Sequence, residues 1–335
     1  MSIEIKPFLT LPDGTEIPYI SETDYLRTMR EVVEPALANL RQIEEIPVTG
    51  GTLHAENYVL PGAKRAIILL HGYTESAEKL RELVWYFLKA GFSVFSYDHR
   101  GHGQSLRELE DHTVAHVKFF SEYVNDLENF ILASVRPQVK RIPLYLFAHS
   151  MGGAVGAQFL IRHPDTFERA ILTSPMIAPS SAPLPLWSGR AIAETMCLIG
   201  KGEQRAFIGG PYDPEKEPFE TSCSTSRARF AYYIQKRRTN PHLQVCSPSY
   251  QWVRESVAQT AALLKPQNAG AIKTKVLLCQ AGLDTTVRLE EQEQFVSLIP
   301  GARLVRFDNA KHEIYNSTDD TMQPYVQTML DFLLD

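Results

Sequence analysis

Three side chains far apart in the sequence could share one reaction: Ser150, Asp284 and His312. Ser150 lies in LFAHSMGGAV (146–155), after an apolar run and before a glycine-rich one. A strand, one sharp turn and a helix fit that pattern. A serine on such a turn is held in a strained conformation with its hydroxyl exposed above the sheet. Strand and helix approach closely there, so the positions two before and two after the serine must be small. Gly152 meets that need, and Ala148 exceeds it by one methyl group. The following helix would aim amide groups and a positive dipole end at a developing oxyanion. Taken alone, the motif also fits a serine that merely caps a helix.

Partners follow in the order serine, acid, histidine. Asp284 comes directly after the apolar run VLLCQA (276–281), and His312 comes in DNAKHE, directly after ARLVRF (302–307). One strand–helix–strand step separates the two, so their loops can be neighbours at one sheet edge. In that arrangement His312 accepts the Ser150 proton, while Asp284 fixes the imidazole tautomer and stabilises the imidazolium. Three other acids compete for the role. Asp98 precedes the serine, and Asp308 and Glu313 stand too close in sequence to His312 to orient it. Asp284 is the expected partner.

Negative charge on a tetrahedral intermediate needs donors. ILLHGYTES places Gly72 just beyond an apolar strand, where the backbone can approach a substrate closely. The expected oxyanion donors are the backbone amides of Tyr73 and Met151. The remaining histidines carry less chemistry. His112 and His116 stand four apart on an expected helix, but HTVAH lacks the glutamate of HExxH and a third ligand. His99 and His102, in YDHRGHGQS, lack the lysine of a phosphate loop and the spacing of a dinucleotide loop; a packed structural loop is expected. His149 is expected to be buried and structural. No metal and no cofactor is called for.

Alternating elements must position these groups. Strands are expected at 66–70, 92–98, 143–148, 169–174, 276–281 and 302–307, with a strand pair around 47–60. Helices are expected at 21–43, 76–91, 113–134 and 151–163, from about 288, and at 317–334. Strands alternating with helices give a parallel sheet covered on both faces. Roughly a hundred residues separate 169–174 from 276–281, far more than a crossover needs. An insertion of that length at the end of a strand reads as a cap. The division is therefore a helical extension (1–45), a core (46–174 and 275–335) and a cap (175–274).

The 335 residues are 44% hydrophobic and 22% charged, with net charge −5, an ordinary soluble composition. No run approaches the ~20 apolar residues of a membrane span, and the first residues lack a signal core. The cytoplasm, at most the surface of an inner membrane, is the expected location. Four widely spaced cysteines without CxxC argue against a zinc site or a disulfide framework; small buried hydrophobes are expected.

Around these residues the chain resembles the serine hydrolases of the α/β-hydrolase fold, in HGYTES (71–76), YDHRGHGQS (97–105), VAHVKFFSEYVNDLENF (114–130), AHSMGG (148–153), GLDTTV (282–287) and AKHEIY (310–315). More narrowly it is similar to the group of monoacylglycerol lipases and bacterial inner-membrane lysophospholipases. The cap stretch 226–256 and Ala148 favour the lysophospholipases. The resemblance implies a carboxylester hydrolase that frees a fatty acid from a single-chain glycerolipid through an acyl-enzyme on Ser150. Monoacylglycerol hydrolysis, general carboxylesterase activity and acyl transfer remain alternatives, as does a silent hydrolase scaffold that only binds.

The cap has a charge pattern of its own. From 221 to 254 there is no Asp or Glu but six basic residues, Arg227, Arg229, Lys236, Arg237, Arg238 and Arg254. Aromatic residues, among them Tyr233 and Trp252, are interleaved, and the stretch 180–187 is apolar around Trp187. Two readings stand. Arg237 and Arg238 could meet anionic headgroups of a membrane while Trp187, Tyr233 and Trp252 line an acyl channel; or the basic face pairs with acidic residues of the body. Nucleic acid is not an expected partner, because the patch sits inside a hydrolase insertion and no binding signature accompanies it.

Overall fold

The computed structural model describes residues 5–180 and 186–335. Eight strands form one sheet: β1 (Arg41–Val48), β2 (Gly51–Tyr58), β3 (Arg65–Leu70), β4 (Phe92–Tyr97), β5 (Leu144–His149), β6 (Arg169–Thr173), β7 (Lys275–Ala281) and β8 (Arg303–Phe307). They lie side by side in the order β8-β7-β6-β5-β3-β4-β2-β1. β2 runs antiparallel to both neighbours, and every other pair is parallel.

Alternation along the strands feeds two cores. In β3, Ala66, Ile68 and Leu70 face one layer while Ile67 and Leu69 face the other; in β5, Leu144, Leu146 and Ala148 oppose Tyr145 and Phe147. That period of two explains why these strands read as continuous apolar runs. Helices α2 (Ser121–Phe130) and α3 (Met151–Arg162) cover the first face. Helices α1 (Arg81–Lys89) and α7 (Asp319–Leu334) cover the second, together with the N-terminal residues.

Two expected helices differ. The N-terminal one spans Tyr25–Leu40, with a wider turn at Met29–Val33, and β1 already begins at Arg41. Residues 41–45 therefore belong to the sheet and not to the extension. Ser21 accepts the Thr23 amide, and its hydroxyl donates to Asp319 at 2.8 Å. The expected helix at 113–134 begins only at Ser121. Val114–Ala115 is extended and pairs in parallel with Ser247–Pro248 of the cap. Val117 and Phe120 are still buried, so the periodicity was apolar burial without helix.

The cap carries α4 (Leu186–Leu198), α5 (Arg227–Thr239) and α6 (Tyr250–Leu263). Ser226 and Ser249 cap α5 and α6 by accepting the amides of Arg229 and Trp252. α6 packs on α4 and on α3 of the core. Most of the apolar stretch expected at 180–187 lies outside the described residues; Trp187 itself is 73% exposed. Among the described residues, no helix is long and apolar enough to cross a membrane.

Candidate active site

Parallel strands bring their C-terminal ends to one edge of the sheet, the usual place for a site in such folds. β3 leads into the Gly72 loop, β5 into Ser150, β7 into Asp284 and β8 into His312. Leu70 pairs with Ala148, which places the first two loops side by side.

Ser150 takes φ 52° and ψ −115°, a conformation costly for a residue with a Cβ. The turn is over-determined: its N–H donates to Thr173 O at 3.1 Å, and its carbonyl accepts Ala154 N–H (3.1 Å) and Met176 N–H (2.8 Å). A Cβ on Gly152 would lie 2.5 Å from His71 O, so only glycine fits. The extra methyl of Ala148 is tolerated because the residue facing it is Gly156, whose own added Cβ would stand 3.2 Å from Ala148 Cβ.

Ser150 Oγ lies 2.8 Å from His312 Nε2, and His312 Nδ1 lies 2.6 Å from Asp284 Oδ2. Asp284 is enclosed, and its other oxygen accepts the amides of Thr286 (2.8 Å) and Val287 (3.2 Å). The three expected side chains thus form one hydrogen-bonded run. The rival acids are committed elsewhere: Asp98 to the amides of Ala77 and Gln104, Asp308 to Arg306, and Glu313 to Lys79. Met151 opens α3, and Tyr73 follows Gly72, whose added Cβ would come 3.1 Å from Ser150 Cβ. Both amides therefore belong to segments that border the serine.

A buried carboxylate that the sequence reading passed over sits beneath. Glu75 accepts the Gly72 N–H at 2.7 Å, bonds Lys79 Nζ at 2.9 Å and Tyr315 Oη, and stands 3.7 Å from His149 Nε2. Burial opposes its ionisation, but Lys79, then His149 and the Tyr315 hydroxyl, more than offset that and hold its pKa below the usual range. Its signal in the sequence is only a glutamate three residues after Gly72.

The His149 ring lies 4.9 Å from that of His312, and burial lowers its pKa from 6.5 to about 4. Between those values the unfolded chain binds a proton that the native ring refuses. Stability from this residue is therefore present above pH 6.5 and is lost as pH falls toward 4, by up to about 3 kcal/mol. His149→Gln is expected to flatten that slope by about one proton in urea titrations at stepped pH. An unchanged slope would place the acid sensitivity elsewhere.

The other histidine expectations divide. His99 and His102 are buried in a packed loop, with the ring of His99 4.6 Å from that of His71. His112 and His116 are not on a helix; His112 is exposed, and His116 bonds Ser249 Oγ at 2.9 Å. Of the cysteines, Cys279 is buried and the other three half-buried, all free. Among the described residues, no group of three or more His, Cys, Asp and Glu is arranged to hold a metal ion.

Arg229, Lys236 and Arg237 of the basic cap helix turn toward the body, which corrects the placement of Arg237 on a membrane-facing surface. Arg237 is buried; it donates to Glu217, to Thr74 O at 2.8 Å and to Val245 O at 2.8 Å. Arg229 pairs with Glu82 and Asp319, and Lys236 with Glu34 and Glu78. Arg227 pairs with Glu220 and Arg254 with Glu255, leaving exposed Arg238 on the Pro214 carbonyl. Desolvation is a cost for buried Arg229 and Arg237, offset by Glu82 and Asp319 of the body and by Glu217 of the cap. The sequence could not show the pairs to Glu34, Glu78, Glu82 and Asp319, which lie far from 221–254; Glu217, Glu220 and Glu255 flank that run.

Two of the cavities concern the expected cap residues, the first enclosed by the cap itself and the second between cap and core. An apolar one of about 270 Å³ is lined by Pro179, Ala193, Ala206, Phe207, Tyr250 and Trp252. The Trp252 ring lies 4.6 Å from that of Tyr73, which ties this cavity to the Gly72 loop. A polar one of about 230 Å³ is lined by Thr74, Lys79, Tyr233, Arg237 and Glu313. Trp252 and Tyr233 are thus brought to the site region on separate cavities, whereas Trp187 is on neither.

Sheet order, strained serine turn and capped insertion define an α/β-hydrolase, and the chain belongs to that family of serine hydrolases. A family model described as "Serine aminopeptidase, S33" matches residues 61–319. The chain is 31% identical over 327 residues to lysophospholipase L2 of Escherichia coli K12, covering 92% of this chain and 89% of that one. It is 27% identical over 272 residues to the probable lysophospholipase L2 of Haemophilus influenzae, covering 81% and 84%. Among solved structures, a soluble variant of monoglyceride lipase from Saccharomyces cerevisiae, in complex with a substrate analog, superposes with TM-score 0.72 at 19% identity, covering 88% and 94%.

Proposed function

We propose that this chain is a lipid ester hydrolase that releases the fatty acid of lysophospholipids through an acyl-enzyme on Ser150. The observation that carries the reading is the unbroken run Ser150–His312–Asp284 at 2.8 and 2.6 Å. As Oγ attacks the ester carbonyl carbon, His312 Nε2 takes the hydroxyl proton, and Asp284 steadies the resulting imidazolium. The amides of Met151 and Tyr73 receive the carbonyl oxygen as its charge develops. Collapse breaks the ester C–O bond, and His312 gives its proton to the departing glycerol oxygen. Water then attacks the acyl-enzyme, loses a proton to His312, and the fatty acid leaves as that proton returns to Oγ.

The substrate class is supported by near-full-length similarity to proteins named lysophospholipase L2 and by the apolar cavity at Trp252, whose dimensions suit part of an acyl chain. Fatty-acid release from lysophosphatidylcholine, lysophosphatidylethanolamine and monoacylglycerol, measured side by side with Ser150→Ala as blank, tests it. Faster turnover of the two lysophospholipids is expected. Activity confined to monoacylglycerol would make the chain a monoacylglycerol lipase, and product esters formed with an added alcohol would make it an acyltransferase.

A further inference from the structure

The loop from Gly72 to Glu75 carries the Tyr73 amide and is gripped from two sides. From the core, the Glu75 carboxylate holds the Gly72 N–H at 2.7 Å. From the cap, Arg237 Nη1 donates to the Thr74 carbonyl at 2.8 Å. Between these grips Thr74 takes φ 62°, in the left-handed region that a β-branched residue adopts only under constraint. Arg237 is itself pinned. Its Nε and Nη2 reach the Glu217 carboxylate at 3.1 and 2.9 Å, and Nη2 also donates to Val245 O at 2.8 Å. A planar fork bonded at three places has one orientation, so its position is transmitted to the loop.

We infer that Arg237 is a positioning residue for the oxyanion hole: by holding the Thr74 carbonyl it keeps the Gly72–Glu75 turn strained and the Tyr73 N–H aimed above Ser150. The cap then completes the reactive geometry as well as covering it. This inference rests on the proposed roles of Ser150 and of the Tyr73 amide. A side chain on a cap helix would thereby control a rate on substrates too small to need the cap for binding.

The test uses the full chain, a short soluble ester such as p-nitrophenyl butyrate, and the rate of Ser150 modification by a fluorophosphonate. Arg237→Met is expected to lower kcat and the phosphonylation rate by about 10²-fold, the scale of a donor displaced by an ångström, with KM within about twofold. Arg237→Lys, which keeps one donor for Thr74 O, is expected to recover part of the loss. Lys236→Met removes the pairs to Glu34 and Glu78 and loosens the same helix without touching the loop. It is expected to lower Tm and keep kcat. Equal kcat losses in Lys236→Met and Arg237→Met would reduce Arg237 to an anchor of the cap, and a wild-type kcat in Arg237→Met would overturn the inference outright. If Arg237→Met does not fold by circular dichroism, Arg237→Lys decides: a kcat drop at constant KM supports the role, and an unchanged kcat overturns it. A wild-type chain inert to the phosphonate would instead overturn the Ser150 reading beneath it.

Discussion

Replacing Ser150 with alanine is expected to lower kcat for ester hydrolysis by at least about 10⁴-fold while leaving the fold intact. The fold should persist because alanine keeps the Cβ, and the bonds that fix the turn run through the backbone of residue 150, from its N–H to Thr173 and from its carbonyl to Ala154 and Met176. What disappears is the atom that attacks. Water would have to replace it without the covalent step, leaving only what the oxyanion amides and the cap contribute. Because the three groups act as one unit, Ser150→Ala/His312→Ala should be no slower than Ser150→Ala alone. Burst-free titration of released fatty acid at saturating substrate measures both. Residual activity within tenfold of wild type would mean that another residue is the nucleophile, and losses that multiply would mean that His312 works apart from Ser150.

The largest stability effect is expected at Arg229, where alanine should cost roughly 3–5 kcal/mol. This guanidinium has no exposed side-chain surface. It bonds Glu82 twice, at 3.0 and 3.1 Å, Asp319 at 3.1 Å, and the carbonyls of Ser317 and Ile20 at 3.0 and 2.9 Å. Truncation strands the Glu82 carboxylate in the interior beside tyrosine hydroxyls, that of Tyr86 at 3.1 Å. Asp319 is less exposed to the loss, since the Tyr19 and Ser21 hydroxyls and the Glu22 amide still reach it. Arg229→Met/Glu82→Leu should therefore recover much of the deficit by removing the stranded charge. Urea denaturation of the three proteins decides. A loss under about 1 kcal/mol for Arg229→Ala would mean that water reaches the network and replaces the guanidinium.

Much of the core was legible before any coordinates. β3, β5 and β7 announce themselves as short apolar runs because both faces of a parallel strand are buried; Ser150 and Asp284 follow β5 and β7, while His312 follows the half-exposed edge strand β8. Local patterns of this kind need no distant partner. Features that do need one were missed or misplaced. Val114–Ala115 has helical apolar spacing, but a pairing with residues 247–248 holds it extended. The cap's basic run shows its sign in the sequence and not its direction, which is set by Glu34, Glu78, Glu82 and Glu217. Glu75 looks like any loop acid until Gly72, Lys79 and Tyr315 are seen around it.

The N-terminal residues that clasp Asp319, Gln323 and Gln327 also impose an order of events on synthesis. Lys6 and Thr10 exchange backbone bonds with the side chains of Gln323 and Gln327, and Tyr19, Ser21 and Glu22 converge on Asp319. None of these contacts can form until the ribosome has delivered the helix that begins at Asp319. Residues 6–22 are therefore made long before they can settle, and until then Arg229 lacks both the Ile20 carbonyl and the Asp319 carboxylate. The cap helix is locked down only when residues 6–22 and the helix that begins at Asp319 have both been made.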